Sequence, residues 1–171
     1  MIAAFSLVVS LTVQQYKPFL PKMEAELKRE GYQLRQAICK IHPAGGVLRY
    51  QYYSKDSTRP TLLISAEIVP VELVPDSVLA QSAAYWAPAS KVPFGSKKAE
   101  VSNIRENRGS IRIVVPYAVC YISSNAKMRN LAEQQTSLNK LAKLVSYELG
   151  TKLKATMQNK QSITMEFYAA K

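Results

Sequence analysis

One histidine, two cysteines and six glycines stand in a chain of 171 residues, and each scarcity removes a class of chemistry. A histidine pair, a His-rich metal site or a Ser-His-Asp triad would have to pass through His42 alone. That residue precedes Pro43 in a predicted hairpin turn, where an exposed histidine is the ordinary occupant. Cys39 and Cys120 lie far apart, with no second Cys or His at knuckle spacing, so neither a zinc site nor a disulfide framework is indicated and a reduced compartment fits best. No Asp-x-Asp or Glu-x-x-His spacing occurs, which disfavours a metal-dependent nuclease. The acids Glu24, Glu26 and Glu30 cluster on a predicted helix where salt pairing explains them. There is no Gly-x-Gly-x-x-Gly, P-loop or Gly-x-Ser-x-Gly, and Gly45-Gly46 is too little for a phosphate cradle. The reading is a non-enzymatic chain with no catalytic residue, metal or small-molecule cofactor. One chemistry stays open beside it: ribonuclease action in which His42 is general acid or base next to a basic patch.

Acidic groups are also scarce. Twenty-three Lys and Arg against twelve Asp and Glu give a formal charge of +11, an excess that favours a polyanionic partner and says nothing of fold. Residues 1–59 carry nine basic and four acidic groups, residues 91–171 fourteen and five, whereas residues 60–90 contain no Lys or Arg. That middle stretch is expected to be core or a protein contact. Apolar residues make up 47% and charged ones 20%, enough to build the core of one domain over 1–171.

Long apolar runs are missing too. Met1 to Val13 is apolar, but no Lys or Arg precedes the run and it is too short to span a bilayer. Phe5, Leu7, Val9, Leu11 and Val13 alternate with smaller or polar residues, so the segment is predicted as a strand, without a membrane role. Pro18 and Pro21 open a helix in which Leu20, Met23 and Leu27 line one face, Glu24 and Lys28 can pair, and Gly31 ends the run. Tyr32–Ile41, Val47–Ser54 and Thr61–Val69 read as a three-stranded meander, with Leu62, Ile64, Ala66 and Ile68 on the buried face of the third strand.

Pro70, Pro75, Pro88 and Pro93 break the next stretch, so residues 70–109 are predicted as a Pro-rich irregular insertion with one short helix from Asp76 to Trp86. Ser110 to Ser123 reads as one long central strand, with Pro116 marking a bulge or an open edge. A long helix follows, with Met128, Leu131, Gln135, Leu138, Ala142, Val145, Leu149 and Lys152 as its stripe and Gly150 placed to end or bend it. Ile163, Met165 and Phe167 close the chain as a strand. The expected class is α+β, a mostly antiparallel sheet with two main helices. The element order suggests an elaborated ferredoxin-like (split βαβ) domain.

The best recognition segment is Arg49 to Lys55. On a strand, Arg49, Gln51, Tyr53 and Lys55 share one face and present cation, amide and ring, the mixture that holds single-stranded RNA or DNA by phosphate contact and stacking. Tyr50 and Tyr52 then point to the core. A basic loop adds Lys97, Lys98, Arg105 and Arg108. The expectation is a nucleic-acid-binding or nucleoprotein-assembly subunit, cytoplasmic or within a nucleoprotein or virus particle. The alternative is a structural subunit of a virion or phage particle held by protein–protein packing or self-assembly.

Overall fold

The computed structural model describes residues 16–69, 90–94, 97–101, 109–124 and 131–170. The strand expected at the N-terminus and the short helix expected from Asp76 lie outside them. Helix α1 spans Pro21–Arg29, β1 Tyr32–His42, β2 Gly45–Ser54, β3 Leu62–Ile68, β4 Ser90–Phe94, β5 Lys97–Val101, β6 Gly109–Val115, β7 Ala118–Ser124, α2 Leu131–Gln158 and β8 Ile163–Tyr168. The strands form one sheet in the order β4-β5-β6-β7-β3-β2-β1-β8. Every pairing described is antiparallel, so the class is α+β with a meander at its centre. A split βαβ arrangement is not confirmed by these pairings, because it needs a parallel pair.

One side of the sheet is the core. Ala37, Cys39 and Ile41 of β1, Leu48, Tyr50 and Tyr52 of β2, Leu62, Ile64, Ala66 and Ile68 of β3, and Ala118, Cys120 and Ile122 of β7 are all buried there. The helices cover this side: Met23 and Leu27 of α1 and Leu138, Ala142, Val145, Leu149 and Leu153 of α2 enter the same cluster. The long amphipathic stripe therefore packs on the domain's own sheet. Lys152 does not belong to its buried part; its Nζ sits 5.9 Å from the Phe19 ring centroid.

In β1 the buried positions change parity: Tyr32 and Leu34 face the core, then Ala37, Cys39 and Ile41. A bulge between Leu34 and Gln36 absorbs Arg35 as an unpaired extra residue and keeps both apolar sets inward. At the other end of the β1–β2 hairpin a Cβ on Gly46 would lie 2.0 Å from the Lys40 carbonyl oxygen, so only glycine fits. Gly31 ends α1 with φ +85, the left-handed conformation expected of a helix-terminating glycine.

Three local expectations are corrected. Ser110–Ser123 is not one strand but the β6–β7 hairpin, turned by Pro116 and Tyr117, the latter at φ 68. Pro at the second turn position followed by a left-handed third residue is type II turn geometry, and proline's missing donor costs nothing there. Part of the 70–109 stretch is regular, since β4 and β5 extend the sheet beyond β6 and Pro93 sits in β4, the edge strand of the described sheet. Gly150 neither ends nor bends the helix, which runs through it to Gln158. Its missing side chain faces β6, and a Cβ would lie 3.5 Å from that of Val115.

Candidate nucleic-acid interface

Among the described residues, no helix lies on the sheet's second face. Register places Glu166, Ile38, Arg49, Ser65, Tyr121 and Arg112 in one row across β8, β1, β2, β3, β7 and β6. The adjacent row is Tyr168, Gln36, Gln51, Leu63, Ser123 and Ser110. Arg49 is exposed and Gln51 and Tyr53 are half-buried, while Tyr50 and Tyr52 are buried on the core side, as alternation along β2 requires. The Tyr53 hydroxyl donates to Gln33 Oε1 at 2.7 Å, which fixes the ring across β1 and β2. Tyr168, 58% exposed, adds a second ring on β8.

The face has two unlike halves. Over β6 and β7, Arg112 is only 1% exposed and Val114 and Val119 are buried, with Val69 and Tyr121 packed against the two valines. Over β3, β2, β1 and β8 it is accessible, with Arg35, Lys40, Arg49, Glu67 and Glu166 among its exposed residues. Lys40 is ion-paired with Glu166, so this accessible half is mixed in charge, with Arg49 in the interior of the amide- and tyrosine-bearing rows.

The other predicted residues are dispersed. Lys55 lies beyond the end of β2, exposed in a turn where the Thr58 amide donates to Asp56 Oδ1 at 2.9 Å. The Thr58 hydroxyl first, and this amide second, hold the Asp56 carboxyl below its ordinary pKa. Lys97 and Lys98 are not in a loop; they belong to β5, opposite Phe94 and Pro93. Four strand spacings separate β5 from β2, about 19 Å, so these lysines do not join the Arg49 cluster. Arg105 and Arg108 lie outside the described residues. His42 closes β1, exposed, its Nδ1 accepting the Ala44 amide at 3.1 Å. It organises the hairpin turn at the end of β2 remote from Tyr53.

A feature missed in the sequence is the charge of the helical layer. Lys140, Lys143, Tyr147 and Lys154 are exposed along the outer side of α2, at the three- and four-residue spacing of one helix face. Lys22 of α1 joins them, its Nζ 5.4 Å from the Tyr147 ring centroid. Three acids of the layer, Glu148, Glu24 and Glu26, are turned inward or shared. Glu148, 3% exposed, accepts the Lys22 and Met23 amides at 2.8 and 2.9 Å. Glu24 does not pair with Lys28 as expected but accepts the Tyr16 hydroxyl. Burial pushes its pKa up to about 7, with the Glu148 charge adding to the rise and the Tyr16 hydrogen bond opposing it. Glu26 is shared between Arg29, at 2.6 Å, and Lys140, at 2.7 Å, and these two hydrogen bonds hold its carboxyl below the usual range. The signal in the sequence was the polar complement of the apolar stripe on α2.

The cysteines are inert by position. Cys39, Leu48, Ala66 and Cys120 form one cross-sheet row, which puts the two thiols three strand spacings apart, about 14 Å, far beyond disulfide reach. Burial pushes both up to about 12. Among the described residues no group of three potential metal ligands occurs, and no helix is long and apolar enough to cross a membrane. No family model, curated protein or solved structure matches the chain.

Proposed function

We propose that the chain is a non-enzymatic nucleic-acid-binding or nucleoprotein-assembly subunit that holds single-stranded RNA or DNA on the face of β2, β1 and β8 opposite the two described helices. The observation that carries this reading is the accessible surface around Arg49, where Gln36 and Gln51 share a row with Tyr168 and Tyr53 lies two residues further along β2. Arg49 supplies a phosphate contact, the amides hydrogen-bond base edges, and the tyrosines stack on bases irrespective of sequence. A net charge of +11 adds attraction at long range.

The structural-subunit reading draws on Val47 and Leu63, large apolar residues exposed at 39% and 37% on the same face, which suit a protein contact. Fluorescence anisotropy with labelled single-stranded RNA, single-stranded DNA and duplex DNA over a salt series separates the two, with light scattering run alongside. Binding of the single strands that weakens steeply with salt supports the first. Absence of binding at low salt, together with a discrete large particle formed without added polyanion, overturns it in favour of the second.

A further inference from the structure

We propose that the outer surface of the helical layer is a second polyanion site, formed by Lys22, Lys140, Lys143, Tyr147 and Lys154, which takes the phosphate backbone of another single-strand segment, so that one molecule bridges two strands. The choice of ligand class rests on the sheet-face reading above. The second site follows from charge segregation within the layer. Glu148 is consumed as the acceptor for the start of α1, Glu24 lies half-buried against Tyr16, and Glu26 sits between two cations. The ammonium groups of Lys22, Lys143 and Lys154 belong to exposed residues.

From Lys140 to Lys154 the stripe is about 21 Å long at helical rise, a linear array suited to a linear polyanion. Tyr147, 62% exposed at its middle, offers a ring on which a base can stack. A lipid surface is a poorer fit. A helix that lies in a membrane interface inserts a wide apolar face, whereas Leu138, Leu141, Val145, Leu149 and Leu153 of α2 are buried in the core. The two sites lie on opposite sides of a sheet-plus-helix sandwich, so one bound strand leaves the other site free. Simultaneous occupation cross-links strands, which is the physical content of an assembly role.

The test immobilises an oligo(dT), saturates it with the full chain, and measures capture of a second, fluorescent oligo(dT). Affinity for the first strand is followed separately by anisotropy. In Lys143→Glu/Lys154→Glu, second-strand capture is expected to fall at least about tenfold, with the salt slope of that step reduced by about 1.4 for two lost phosphate contacts. First-strand affinity is expected to stay within about threefold, because one free face remains to the strand. Capture that the double variant leaves unchanged overturns the inference, as bridging through protein dimers would produce. So does a wild-type chain that binds the first strand and takes no second, or one that prefers phosphatidylserine vesicles to the oligonucleotide. Failure to bind any first strand overturns the sheet-face reading itself, and the bridge with it.

Discussion

Replacing Glu148 by alanine removes the acceptors that complete the first turn of α1. Pro21 has no amide hydrogen to satisfy, the Lys22 and Met23 amides donate to the two Glu148 oxygens, and the Glu24 amide makes the first intrahelical bond to the Leu20 carbonyl at 3.1 Å. Leu20, the residue before the helix, provides no side-chain cap, so the cap comes from α2 across the core. A charge-assisted hydrogen bond contributes about 1.5–3 kcal/mol, and a buried donor left without an acceptor adds its desolvation cost. Two such bonds give a loss of about 3–6 kcal/mol for Glu148→Ala. Relief of the charge felt by Glu24 places the expectation toward the lower end of that range. Glu148→Gln keeps one acceptor and should lose about half as much. Urea unfolding monitored by circular dichroism measures both. A Glu148→Ala midpoint within about 1 kcal/mol of wild type, at equal slope, refutes the idea that this carboxylate caps α1.

Other outcomes follow from the same geometry. Because the Glu24 carboxyl is raised from 4.5 to about 7 in the folded state, the folded chain holds a proton that the unfolded chain has lost. The resulting stability is complete below about pH 4.5 and lost as pH rises through 7, by about 1–3 kcal/mol after allowance for partial exposure; Glu24→Gln should flatten a pH series of unfolding midpoints, and an unchanged slope would contradict this. Gly150→Ala fills space beside Val115 at ordinary contact distance and improves helix propensity, so a gain of about 0.5–1 kcal/mol is expected in thermal unfolding. A loss would show that the close approach of α2 to β6 cannot give. Cys39 and Cys120, with thiols pushed up to about 12, should react with a thiol reagent only as fast as the chain unfolds; rapid labelling of the native chain would contradict their burial.

The elements legible in the sequence were those whose periodicity and punctuation agree. Alternation marked β2 and β3, and Pro21 and Gly31 bracketed α1, because half-buried strands and capped helices impose these patterns locally. Pro116 was misjudged since apolar residues stand on both sides of it; both faces of β6 and β7 are covered, so no change of parity advertised the turn. The Arg35 bulge and the Glu148 cap depend on register and on a contact between α1 and α2, neither of which leaves a local trace. For the candidate site, the Arg49–Gln51–Tyr53 face needed only alternation. Tyr168 and Gln36 could not be assigned to it before the β8–β1–β2 order was known. Lys97 and Lys98 looked like loop cations because prolines surround them, yet antiparallel pairing extends the sheet past those prolines.

The central claim concerns where a single strand sits. Anisotropy titration of labelled oligonucleotide with Lys143→Glu/Lys154→Glu, in which only the sheet face is left to the strand, and with the same chain carrying Arg49→Ala/Tyr53→Ala in addition tests it most directly. The account predicts a loss of about ten- to a hundredfold in first-strand affinity, from one phosphate contact and one stacked ring. Affinity unchanged within error between the two, with equal unfolding midpoints, would contradict binding on this face.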